Sequence, residues 1–86
     1  MLNNLILIGR YYSIDKVSED VHILSLVISN EDGDITLPIT VNKIIADRIN
    51  ELCNEGDLFG VKGFISVDNN QLCVIASKLS FISKKA

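Results

Sequence analysis

Twice in this chain a cation stands two residues before an aromatic ring: Arg10 and Tyr12 in LILIGRYYSI, and Lys62 and Phe64 in LFGVKGFISV. Residues two apart in a strand share a face, so each pair presents a ring beside a positive charge. A ring offers its π-face to any flat partner, and a cation offers an electrostatic contact to any anion. Catalytic chemistry has less to draw on. His22 is the only histidine, no carboxylate pair has a usable spacing, and no Gly-rich phosphate loop is present. With no proton-handling pair, no enzyme activity is expected, and His22 reads as a strand-end residue. Cys53 and Cys73 are too few for a disulfide framework and lack metal-ligand spacing. Each lies among apolar neighbours, so both read as buried thiols of a reducing compartment. No cofactor or metal is implied.

The elements that must position the two ring–cation pairs are strands. Leu5–Ile14 is β-rich, with Leu5, Leu7, Gly9 and Tyr11 on one face and Ile6, Ile8, Arg10 and Tyr12 on the other. Gly9 in mid-strand predicts a bulge or a sharp bend. Ser13–Asp20 reads as a polar turn. Val21–Ser29 is a second strand with Leu24, Leu26 and Ile28 inward and Ser25 and Val27 outward, followed by a hairpin turn with Asp32-Gly33 at its centre.

The third strand, Asp34–Asn42 (DITLPITVN), sets Ile35, Leu37, Ile39 and Val41 against a polar face of Thr36, Pro38, Thr40 and Asn42. Pro38 cannot donate to a ladder, so it marks a bulge or the point where the strand leaves its neighbour. Over Lys43–Asn54 the period changes: Ile45, Ile49, Leu52 and Cys53 recur at the spacing of an amphipathic helix, with Gly56 as a stop beyond it. Asn42 is placed to cap this helix and Lys43 opens it, a third cation near the outer face. Leu58–Val67 is a strand with Phe59, Val61, Gly63 and Ile65 inward, Asp68-Asn69-Asn70 a tight turn, and Leu72–Ser83 the last strand or strand pair.

The order is therefore βββαββ in one domain, residues 1–86, without linker or repeat. Five strands with glycines at bends and one helix between the third and fourth match the all-β OB-fold, a five-stranded Greek-key barrel. Closure protects the strand edges of so short a chain, and Ile45, Ile49 and Leu52 would plug the open end.

Composition sets outer limits. The chain has 86 residues, 48% hydrophobic and 22% charged, with a net charge of −3. A domain this small buries only about 60% of the surface of its unfolded form, so part of the apolar content is expected in a subunit interface. The acidic balance argues against a broad grip on duplex DNA, but eight Lys and Arg can still gather on one face. No basic region precedes an apolar core at the N-terminus and no apolar run could span a bilayer, which predicts a cytoplasmic protein without membrane contact.

Three segments go beyond fold. LNNLILIGR, LSLVIS and KIIADRINELCNEGDLFGVKGFI, in this order and spacing, resemble the bacterial single-stranded DNA-binding proteins and the related primosomal OB proteins. The family pattern is LN-x-x-x-LIGR, then a helix of the form KLAE-x-x-x-x-YL-x-KG running into x-V-x-V-x-G-x-L; the tail LCVIASKLSFIS resembles its last strand. The resemblance implies sequence-independent binding of single-stranded DNA on the outer barrel face, in replication, recombination or repair. It also implies homo-oligomers, dimers or tetramers, joined through the first strand, and contact with replication proteins.

Bases would stack on Tyr12 and Phe64, and phosphates would meet Arg10, Lys43 and Lys62. The family's two usual aromatic positions on strand three fall at Thr36 and Asn42, and a short turn, Val67–Gln71, replaces its long hairpin. With two rings left, at about 1–3 kcal/mol per stacked base, binding is expected to be weak and salt-sensitive, or tight only in a multimer. The same departures favour a second expectation: an oligomerising OB module of a replication or conjugation complex that works through protein contacts.

Overall fold

A computed structural model describes residues 4–84. Leu2 and Asn3 of the LNNLILIGR segment, and the last two residues of the domain predicted over 1–86, lie outside the described residues. The elements run β1 (Leu5–Lys16), β2 (His22–Asn30), β3 (Gly33–Val41), α1 (Lys43–Leu52), β4 (Leu58–Asp68) and β5 (Gln71–Ser83). The strands close a barrel in the order β1-β2-β3-β5-β4, with β4 returning to β1. This is the OB-fold. Every pairing is antiparallel except β3 with β5, which run parallel and meet only at Ile39–Val74 and Thr40–Ile75. Among the described residues no helix is long and apolar enough to cross a membrane.

Alternation places Leu24 and Leu26 of β2, Ile39 and Val41 of β3, and Phe59 and Val61 of β4 in the core, which Ile45, Ala46 and Ile49 of α1 close from one end. Leu52 stays 39% exposed, contrary to its predicted role as a plug; Ala46 lies at the contact instead, one turn before Ile49 on the inner stripe. Asn42 caps the helix, its side-chain oxygen accepting the Ile45 N–H at 2.9 Å. The helix ends at Leu52 rather than Asn54, because Cys53 is already extended (φ −107°, ψ 144°). Gly56 is therefore not the helix stop. It sits in the following turn at φ +93°, where its N–H donates to the Tyr11 carbonyl at 2.8 Å.

Other local expectations shift for identifiable reasons. Strand β1 continues through Asp15 and Lys16 because both pair with β2, opposite Ile23 and His22; hydrogen bonding overrides the polar composition. The register is regular at Gly9, and the bulge falls at Tyr12, between the Tyr11–Leu26 and Ser13–Ser25 pairs. Gly9 is instead a close approach: a Cβ there would lie 2.8 Å from the Val27 carbonyl oxygen. The β2–β3 turn is centred on Glu31-Asp32, with Gly33 following at φ +120°. Ile35, paired with Ile28 near the hairpin tip, is half exposed because the ribbon there has left the core. The β4–β5 hairpin turns on Asn69-Asn70, both at positive φ (50° and 63°), as a two-residue primed turn demands. His22 is buried, and its Nδ1 has no hydrogen-bond partner among the described residues.

Candidate nucleic-acid interface

The predicted outer face exists, but its five residues are not one cluster. On β4, Lys62 and Phe64 are both exposed and share the outward side, with Phe64 38% exposed. Lys62 lies opposite Ile6 of β1 and Lys78 of β5, while Phe64 lies opposite Ile75 in a row that continues to Thr40 and Ile23. Arg10 and Tyr12 sit farther along β1, where Arg10 is opposite Leu58 and Val27 and belongs to the row ending at Thr36. Across the β1–β4 seam the level of Phe64 falls eight residues before Tyr12, whereas the row through Ile75, Thr40 and Ile23 reaches β1 at Asp15, three residues after it.

Two of the predicted cations are engaged by the protein itself. Arg10 Nη1 donates to the Gly56 carbonyl at 2.9 Å, tying the turn after α1 to β1. Lys43 Nζ contacts Asp47 Oδ2 at 3.0 Å, and that hydrogen bond raises the pKa of its ammonium group. The Lys62 ammonium has no such partner among the described residues, while its backbone carbonyl accepts the Ser77 hydroxyl at 3.1 Å.

The polar face of β3 has a specific use. From Ile39 onward β3 pairs with β5, and Pro38 is the first residue back toward the hairpin without that partner, as its missing N–H predicts. An apolar groove of about 550 Å³ opens at this divergence, lined by Ile23, Leu37, Pro38, Thr40, Ile65 and Leu72 among others. Ile65 was expected inward with Val61; it is 39% exposed because it borders this opening. Cys73 also borders the groove and is half-buried, not buried. Cys53 is buried, and desolvation raises its thiol pKa, which opposes formation of a nucleophilic thiolate.

Sequence reasoning missed several residues of this surface. Lys78 directly faces Lys62, Arg48 projects from α1 into a depression shared with Ser77 and Lys78, and Ile44 is 73% exposed beside it. Arg48 could have been found from its helical position, three residues from Ile45. Lys78 could not, because a bulge decides its face.

No protein-family model matches the chain, and no curated protein matches it in sequence. Solved structures do match. The fold is similar to that of a small single-stranded DNA-binding protein from Mycoplasma pneumoniae, at a TM-score of 0.70 and 13% identity over 94% of this chain and 88% of that one. It is also similar to a deletion mutant of the single-stranded DNA-binding protein of Thermus aquaticus, at a TM-score of 0.66 and 26% identity, covering 92% of this chain and 40% of that one. A third match is the dimeric N-terminal domain of the PriB protein from Thermoanaerobacter tencongensis, at a TM-score of 0.66 and 20% identity over 96% of this chain and 98% of that one. The architecture is therefore the OB-fold, which these solved structures share.

Proposed function

We propose that this protein binds single-stranded DNA, independently of sequence, on its outer barrel face and serves DNA replication, recombination or repair as a binding protein rather than an enzyme. The carrying observation is Lys62 beside Phe64, both exposed on β4 of a barrel whose structural neighbours are single-stranded DNA-binding proteins. Phe64 offers a π-face to a base and Lys62 a charge to the adjoining phosphate. Tyr12, 55% exposed, supplies a second stacking station. A cytoplasmic location and contacts with replication proteins belong to the same reading.

Anisotropy of a labelled oligo-dT, at low and moderate salt with a duplex control, tests the proposal. Binding to the single strand that weakens with salt is expected. Phe64→Ala should weaken it about 5- to 150-fold, the equivalent of one stacked base at about 1–3 kcal/mol. A folded protein that fails to bind at low salt would sink the reading.

Assembly through β1 has its own support. The first β1–β2 pair is Arg10–Val27, so among the described residues Leu5–Ile8 pair only with β4 and leave their other edge open, while Ile6 and Ile8 are 61% and 53% exposed. An open edge with apolar side chains is a pairing site for a second strand. This favours a homo-oligomer joined through β1, in which several weak faces add. Light scattering on wild-type and on Ile6→Asp/Ile8→Asp checks it: the wild-type protein is expected as an oligomer and the variant as a monomer. A wild-type monomer at high concentration would overturn it. The same exposed residues also suit the alternative role of a protein-interaction module in a replication or conjugation complex, which a failed DNA titration together with a stable oligomer would favour.

A further inference from the structure

Seven of the eight Lys and Arg lie within the described residues, and four of these seven are held by protein partners. Arg10 donates to the Gly56 carbonyl, Lys16 pairs with Glu19, Lys43 with Asp47, and Lys84 with Asp57. The three without such a partner among the described residues, Arg48, Lys62 and Lys78, lie along one stretch of surface. Lys62 and Lys78 are register partners across β4 and β5, with Cα atoms about 5 Å apart. Ser77 joins two shallow depressions: one of about 340 Å³ with Lys62, Ile6 and Asn4, and one of about 490 Å³ with Lys78, Arg48 and Ile44. Like charges directly opposed across a ladder destabilise it, so a fold that keeps Lys62 facing Lys78 carries a cost that a bound anion would remove.

The bulge explains how two consecutive residues reach this surface. The register slips between Lys62–Lys78 and Gly63–Ala76, which leaves Ser77 extra in β5. Ser77 and Lys78 are therefore both exposed, between buried Ala76 and half-buried Leu79. Five of the eleven acidic residues lie at the Glu19-Asp20 turn, the Glu31-Asp32 turn and Asp68 of the β4–β5 hairpin, and Asp47 on α1 is paired with Lys43. Glu51, one helical turn beyond Arg48, makes no ion pair with it.

We infer that Lys62, Lys78 and Arg48 form the phosphate track of this protein, carrying the backbone of a single strand from Phe64 over Ser77 to α1. This rests on the proposed single-stranded DNA binding and displaces Arg10 and Lys43 from the role of phosphate contacts. Ile44, exposed at the α1 end, gives sugars and bases apolar support.

The test is the salt dependence of oligo-dT binding. Each phosphate contact in a single strand contributes about 0.7 to the slope of log K against log salt, so Lys62→Gln/Lys78→Gln/Arg48→Gln should flatten it by about 2. Lys16→Gln, which removes one charge away from the track, should leave the slope unchanged. A measurable affinity with an unaltered slope in the triple variant overturns the track and leaves DNA binding standing. A wild-type protein that binds no oligo-dT overturns both. Polyglutamate competing as well as unlabelled oligo-dT at equal charge would also overturn it, since the site would then take any polyanion. Lys78→Glu supplies a readout in the free protein. Replacing an opposed like pair by an opposite one should raise the melting midpoint by about 2–8 °C while binding weakens. A fall in that midpoint would remove the argument from repulsion.

Discussion

Gly63→Ala is expected to cost about 3 kcal/mol, lowering the melting midpoint by about 12–24 °C. Gly63 is buried in β4, and an added Cβ would overlap the carbonyl oxygen of Ile75 and press on Ala76 Cα at 3.2 Å. Both obstacles are backbone, so no side chain can rotate away; β5 itself must move. The site adjoins the β4–β5 bulge, and moving β5 there also moves Ser77 and Lys78. Whole-domain stability at this length is roughly 4–13 kcal/mol, so the loss is a large share of it. Thermal and urea unfolding, both followed by far-ultraviolet circular dichroism, measure it. A midpoint within a few degrees of wild type would show that β5 yields easily and that Gly63 does not hold the bulge.

Phe59→Ala is expected to lose about 3–5 kcal/mol, the range for removing a fully buried ring. Phe59 is 0% exposed, the largest fully buried side chain among the described residues, and its ring lies 6.2 Å from that of Tyr11 at a tilt of 56°. Truncation leaves a cavity between β1 and β4, and a barrel closed on all sides cannot collapse far into it. It also removes a tilted ring pair, part of which is worth about 0.5–1.5 kcal/mol beyond burial. The same urea titration reads it, with Phe64→Ala as the internal contrast. Phe64 is two-fifths exposed on the opposite side of the same strand, so its loss should move stability little while weakening DNA binding. Equal destabilisation by the two variants would mean that the inward and outward faces of β4 have been assigned wrongly.

Much of the barrel was legible because its signals are local. Leu24 and Leu26, Ile39 and Val41, and Phe59 and Val61 alternate in sequence and all point inward. Ile45 and Ile49 recur at the helical period and close the barrel end. Asn69-Asn70 could only be a turn that tolerates positive φ. The surface residues were harder to place. Arg10 and Lys62 look equivalent in the chain, each two residues before a ring. One is held by a carbonyl 46 residues away, while the other faces a lysine and no acid. Long-range pairing separates them, and no local pattern encodes it.

Sequence alone determined the order βββαββ, the inward faces and the chemistry available to the outward ones, because periodicity and turn chemistry act over a few residues. Only the tertiary structure decided which cations are left for a ligand. Arg10, Lys43 and Lys84 find partners once the strands and the helix are in place. Lys78 reaches the side of Lys62 because β5 bulges at Ser77, beside a Gly63 that leaves room for the Ile75 backbone. That choice depends on contacts between residues distant in the chain, which exist only after the barrel has closed.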